Sequence, residues 1–439
     1  MIPPPRFHWR SRGAALILAV LAGACGNAPA GGLGSGSGAT GVGPDVIRVG
    51  GIAAISGPLG DQWSPAFQGA KAYFDMVNSA GGVHGRRIEL VAELDDQTDP
   101  SSDIAAARQL VEKDGVFAVI PVATPVFSGG RYLAQHDVPT FGWNVNPEWG
   151  AGPTMFGHNG SYTDPTAVDV AGPFLAGRIG AHRVAVLAYA VSQSAACARG
   201  QKLSFEKFGF PVVLDDSSLP IGVANVDADI SRIRRSGADF VVTCMDPTGS
   251  TIVSAGLARA GLSHVAQYWL DGYDHATLEK FPREYEGVYL TTDFVPFEDA
   301  GLSPGMTQYL SEMRSHYPKA AIGQVSLAGW VSAAMFVEGL QRAGRDLTRH
   351  GLVEAINSLT EFTANGIETP VNWRTDHTQA GSTNCSVYLQ VRGGRFITLF
   401  GNPFVCLSNS AATTAALTPI AVPGVPGSSA AGGSGGPPG

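Results

Sequence analysis

Two observations predict an α/β fold built on parallel sheets for this 439-residue sequence. Residues 46–97 run strand, loop, helix, strand, and the first loop falls at the carboxyl end of a strand, where open α/β sheets bind ligands. The same alternation of short apolar runs and helical-period segments then continues through most of the chain.

Residues 46–55 have the length and β-branched content of a strand buried on both faces. Ser56-Gly57-Pro58 breaks that strand, and from Pro65 onward Phe67, Ala70, Tyr73, Phe74 and Val77 recur at helical spacing. Residues 78–82 stop the helix and 87–95 form the next strand. A helix is expected at 100–114, a strand at 116–121, a helix at 127–136 and a strand at 138–141, which would complete a first sheet. A second series follows residues 157–160, with helices at 163–179, 197–208, 226–236 and 248–260. Its strands are expected at 182–189, 212–218, 239–244, 267–270 and 288–292. The last third holds helices at 305–317, 325–344 and 348–359, then strands 386–391 and 395–399 joined by Gly393-Gly394.

Both ends of the chain differ from this body. Arg6, Arg10 and Arg12 precede the apolar run 14–21, and Ala22-Gly23-Ala24 places small residues before Cys25, the pattern of a secretion leader. The apolar run is shorter than the roughly 20 residues that span a bilayer. Leu21-Ala22-Gly23-Ala24-Cys25 is similar to a lipoprotein cleavage box, with Ala22 in the slot where the common pattern wants Leu21, and it implies lipidation of Cys25, with ordinary cleavage at a nearby small residue as the alternative. Residues 26–43 have the Gly/Ser/Ala composition of a flexible tether, and the uncharged Ala/Pro/Gly/Ser stretch 410–439 is expected to be disordered. A formal net charge of -8, with only 15% charged residues, argues against a nucleic-acid partner.

With Cys25 set aside, Cys197, Cys244, Cys385 and Cys406 remain in an oxidising compartment. Cys197 and Cys244 fall at the same edge of one sheet, and Cys385 and Cys406 flank the terminal hairpin, so the expected pairs are 197 with 244 and 385 with 406. Each closure would be worth about 3 to 4 kcal/mol in the chain-entropy model. Buried free thiols are the alternative.

The residues Ile55-Ser56-Gly57-Pro58-Leu59, Gly69-Ala70 and 78–88 (NSAGGVHGRRI) resemble the start of the type I periplasmic binding proteins of the leucine/isoleucine/valine-binding family, and the likeness extends in element order from about 46 to about 407. The resemblance implies two Rossmann-like lobes with parallel sheets joined by a three-strand hinge. The chain would cross between lobes near 157–162, 291–296 and 362–369. The implied organisation is a signal peptide at 1–24, a lipidated tether at 25–45, lobe 1 at 46–159 plus 296–363, lobe 2 at 160–295 plus 364–409, and the tail at 410–439. The implied function is extracytoplasmic capture of a small molecule for the membrane permease of an ABC importer, by a monomer lipid-anchored to the outer face of the cell membrane. An amino acid with an apolar side chain is the first expectation. An aromatic, amide-type or other hydrophobic solute, or a sensing role beside a receptor, is the alternative.

Ligand contacts are expected from loops at the carboxyl ends of strands. The candidates are Ser56, Trp63, Thr124, Trp143, Asn144, Tyr189, Gln193, Asp246, Asp271 and Tyr273, with Phe127 as a further aromatic wall. Family members that hold α-amino acids use hydroxyls and N–H groups of the second and third loops for the carboxylate and an acid of the opposite lobe for the ammonium. Here the second loop reads Val122-Ala123-Thr124-Pro125-Val126-Phe127 and the third carries Val145, which removes hydroxyls and one N–H from that pattern. Asp271 stands near the acidic position. Each candidate has a plainer role open to it: Asp246 can cap the next helix, Asp271 can be a solvated turn acid, and the aromatics can pack beneath the loops. The sequence contains no HExxH, Walker A or CxxC, and its ten histidines show no metal-site spacing. No enzyme activity, cofactor or metal is expected.

Overall fold

The computed structural model describes residues 39–57, 60–378, 384–400, 403–407, 417 and 419–420. The leader, Cys25, and most of the tether and tail lie outside these residues. In the first lobe, β1 (Val46–Ala53), β2 (Arg87–Asp95), β3 (Ala118–Ala123), β4 (Thr140–Gly142) and β5 (Met155–Gly157) form a sheet in the order β2-β1-β3-β4-β5. Every pair in it is parallel. β3 is buried along its whole length, as its unbroken apolar sequence requires. β5 was not expected; three residues are too few to show a period.

Between these strands lie α1 (Gly60–Trp63), α2 (Pro65–Ser79), α3 (Pro100–Arg108) and α4 (Gly130–Gln135). The helix expected at 100–114 is α3 followed by a π-helical turn at Gln109–Lys113. The one expected at 127–136 is shortened by Thr124 and Pro125. Thr124 Oγ1 accepts from Val126 N and donates to Val126 O, which holds the chain in a turn that competes with a helix start.

The second lobe carries α5 (Ala171–Ile179), β6 (Val184–Tyr189), α6 (Ser192–Lys207), β7 (Val212–Leu219), α7 (Asp227–Ser236), β8 (Phe240–Cys244) and α8 (Pro247–Arg259). It continues with β9 (Ala266–Trp269), α9 (His275–Lys280), α10 (Pro282–Tyr285) and β10 (Tyr289–Thr292). The helix expected from 163 begins only at Ala171. Asp164 Oδ1 takes Thr166 N and Oγ1, and Asp169 Oδ1 takes Ala171 N, so side-chain turns replace its first two turns. The sheet runs parallel through β7-β6-β8-β9-β10.

After β10 the chain returns to the first lobe as α11 (Pro304–His316), α12 (Gln324–Ala343) and α13 (Arg349–Asn357), with α12 packed along α2. Two glycines set that approach. A Cβ on Gly69 would overlap the carbonyl oxygen of Ser326, and one on Gly329 would overlap that of Ala66. Past α14 (Trp373–Asp376), the strands β11 (Cys385–Arg392), β12 (Arg395–Thr398), β13 (Val405–Leu407) and β14 (Pro419–Ile420) extend the second sheet antiparallel. β14 lies within the stretch expected to be disordered. The tether expected to reach residue 45 also ends earlier, because Arg48 N donates to Gly41 O at 2.8 Å and Val42 bridges Ile47.

Two disulfides are present among the described residues, Cys197–Cys244 joining α6 to the end of β8 and Cys385–Cys406 joining β11 to β13. Three segments link the lobes, and they hydrogen-bond to one another. His158 Nδ1 is 2.8 Å from Glu368 Oε1, Asn159 donates to Asp293, and Val295 N donates to Ile367 O at 2.8 Å.

Candidate functional site

A cleft of about 490 Å3 lies where loops of the two lobes face each other. The first lobe contributes Trp63 from α1, Trp143 from the loop after β4, and the stretch from Ala321 to Ser326 that begins α12. The second contributes Pro247 and Thr248 at the start of α8 and Asp271, Tyr273 and Asp274 after β9. Trp63 and Trp143 meet edge to face with centroids 5.6 Å apart. None of the described lining residues is Lys or Arg.

Asp271 presents a free acid to this cleft. Its carboxylate has no hydrogen-bond or ion-pair partner among the described residues. It is open to solvent in the cleft, yet protein surrounds it. Desolvation, with Asp246 and Asp274 close by, pushes its carboxyl up to about 7. Tyr273, in contrast, is 2% exposed and its hydroxyl is committed. It donates to Glu298 Oε2 at 2.6 Å and accepts from Phe297 N at 2.7 Å, so it is not left for a solute. Gln324 Nε2 donates to Tyr273 O at 3.3 Å and ties α12 to this loop.

Of the ten sequence candidates, Trp63, Trp143, Asp271 and Tyr273 come together here. Five are placed elsewhere. Ser56 Oγ donates to Asp95 Oδ2 at 2.5 Å on the exposed end of β1, and Thr124 is 1% exposed inside its own turn. Tyr189 donates its hydroxyl to Asp246, which also caps α8 by accepting from Thr248 N and Gly249 N. Gly249 makes this possible, since a Cβ there would overlap the Tyr189 hydroxyl. Gln193 sits half-buried in the first turn of α6, away from the cleft. Phe127 is a core residue, 1% exposed and packed at 4.9 Å on Trp149, so it forms no cleft wall.

Asn144, the tenth, lines a smaller chamber of about 120 Å3 that shares Trp143 and Gln324 with the cleft. Its Nδ2 donates to Gly160 O at 3.2 Å and Thr163 Oγ1 at 3.3 Å. Thr163 and Gln324 also line the chamber, and the linking segments supply four further polar walls, His158, Asn159, Asp293 and Glu368. Burial pushes Glu368 up to about 7, although His158 pulls it down. Burial works against the charged His158, but Glu368 outweighs it and holds the imidazole above its ordinary value. Sequence reasoning missed this chamber and the start of α12. The one signal available was Gly323 at the break before a long apolar helix.

A family model described as periplasmic binding protein matches residues 46–395. The Leu/Ile/Val-binding protein homolog 8 of Brucella abortus (strain 2308) is 23% identical over 339 residues, covering 71% of this chain and 80% of that protein. Among solved structures, a fatty acid ABC transporter substrate-binding protein from Thermomonospora curvata superposes with a TM-score of 0.68 at 18% identity, over 82% of this chain and 93% of the other. An ABC transporter solute binding protein from R. palustris, in complex with 4-hydroxybenzoate, gives 0.66 at 18% identity, over 81% and 95%. These structures share the two-lobed fold. With the family model matched from the first strand to the terminal hairpin, the chain belongs to the periplasmic binding protein family and is a non-catalytic, extracytoplasmic protein that takes a small solute between its lobes.

Proposed function

We propose that this protein captures an amino acid, its apolar part packed on Trp63 and Trp143, and hands it to the membrane permease of an ABC importer. The unpaired carboxylate of Asp271 carries this reading. An acid that faces the cleft with no partner in the fold is free to pair with a ligand ammonium once closure removes water from it. Across the cleft stands the start of α12, a 20-residue helix with no acid in its first turn, whose first N–H groups and dipole favour an anion. An acid on one wall and a helix start on the other suit a zwitterion. The names of the Brucella relative and of the solved neighbours support import as the setting. Fatty acids and aromatic acids fit less well, because they bring a carboxylate and no ammonium to Asp271.

Calorimetry against leucine, isoleucine, valine, phenylalanine, 4-hydroxybenzoate and a fatty acid tests the ligand class. Binding of the amino acids is expected; binding of the acids alone would refute the ammonium site. Lobe closure about the three linking segments and lipidation of Cys25, with anchorage to the outer face of the membrane, complete the proposal. Cys25→Ala should release the protein from the membrane fraction, and retention there would refute the anchor.

A further inference from the structure

The chamber behind Trp143 holds more hydrogen-bond acceptors than the protein supplies with donors. Glu368 is 2% exposed, and among the described residues its Oε1 is taken by His158 while its Oε2 has no partner. Asn159 gives its Nδ2 to Asp293, and its Oδ1 is likewise buried without a partner. Asp293 adds a second carboxylate against the single imidazole of His158, which is spent on Glu368 Oε1, and none of the described lining residues is Lys or Arg. Buried acceptors of this kind are costly unless a donor reaches them. At about 120 Å3 the chamber has room for the end of a side chain, and it shares Trp143 and Gln324 with the cleft in which Asp271 lies.

We infer that this chamber is a second subsite, which receives a cationic, N–H-bearing end of the solute, such as an ammonium or guanidinium, while Asp271 holds its α-ammonium. The inference rests on the ammonium reading of Asp271 and narrows it. The preferred ligand is an amino acid with an apolar stem and a basic terminus, not one with a purely hydrocarbon side chain. Two tryptophans suit the methylene stem, and Glu368 with Asp293 suits the charge.

Lysine and norleucine differ at the tip of nearly the same chain, and calorimetry with both on the intact protein separates the possibilities. Lysine is expected to bind at least tenfold more tightly than norleucine, and that ratio should collapse toward one in Glu368→Gln. Asp293→Asn provides the same comparison if the first variant does not fold. Norleucine binding as well as lysine in the native protein would mean a chamber for ordered water only, and would overturn the subsite while leaving Asp271 in place. A ratio unchanged in the variants would overturn it too. Binding of neither compound would overturn the Asp271 reading and this inference with it.

Discussion

The loops at the carboxyl ends of the strands fall into two groups, although all of them stand where this architecture places ligands. In one group the polar side chains are satisfied within the fold. Thr124 closes on Val126, and Tyr189 closes on Asp246, which in turn caps α8. In the other group they are not, since among the described residues Asp271 has no side-chain partner and the Nε1 of Trp63 is buried without an acceptor. Loop position therefore makes a side chain eligible for a ligand, and internal pairing removes it again. A side chain already paired within the fold has little to gain from a solute, whereas an unpaired one facing the cleft is free to bind it.

The contrast can be broken most directly at Asp271. Asp271→Asn should weaken amino-acid binding at least about 30-fold, as expected when one partner of a desolvated charge pair is removed at a cost of about 2 kcal/mol or more. Unchanged affinity in calorimetry would return Asp271 to the role of an ordinary turn acid.

A smaller effect is expected from pH. The ammonium ligand needs ionised Asp271, whose carboxyl is pushed up to about 7, so affinity should fall by up to about tenfold for each unit below that value. In Asp271→Asn this slope should vanish. Ligand-free stability should move the other way. Asp103, Asp271 and Glu368 are each pushed up to about 7, so the folded protein holds protons that the unfolded chain has already lost. Stability should decline as pH rises from the ordinary carboxylate range to about 7 and level off above it. A melting temperature that climbs through that interval would contradict the sign.

The smallest effects belong to the loops that are paired internally. Tyr189→Phe and Thr124→Val should each cost about 1 to 2 kcal/mol of stability in denaturant unfolding and leave affinity within twofold. Asp246 keeps its two backbone donors in Tyr189→Phe, so the cap on α8 survives. A large loss of affinity from either variant would place that loop back in the site.

Much of the architecture was legible because local patterns report burial. The unbroken apolar run of β3, the helical period from Phe67 to Val77 and the Gly393-Gly394 turn each signalled their element without help from distant residues. Where short-range chemistry competed, the patterns misled. The apolar periodicity after 163 suggested a helix, but Asp164 and Asp169 held its first turns open. Three-residue strands such as β5 and β13 carry no period at all.

The site was half legible for a different reason. Trp143 and Asp271 could be named because they follow strands, and so could Thr124 and Tyr189, which do not line the cleft. The sequence by itself determined the order of strands and helices and the set of loops that reach the ligand end of each sheet, since both depend on neighbours a few residues away. Only the tertiary structure decided which of those side chains were left to face a solute. Tyr189 meets Asp246 from 57 residues away, His158 meets Glu368 from 210, and α12 reaches the cleft only after the chain has crossed back between the lobes. Pairing at such distances depends on where folding brings the chain, and local periodicity carries no record of it.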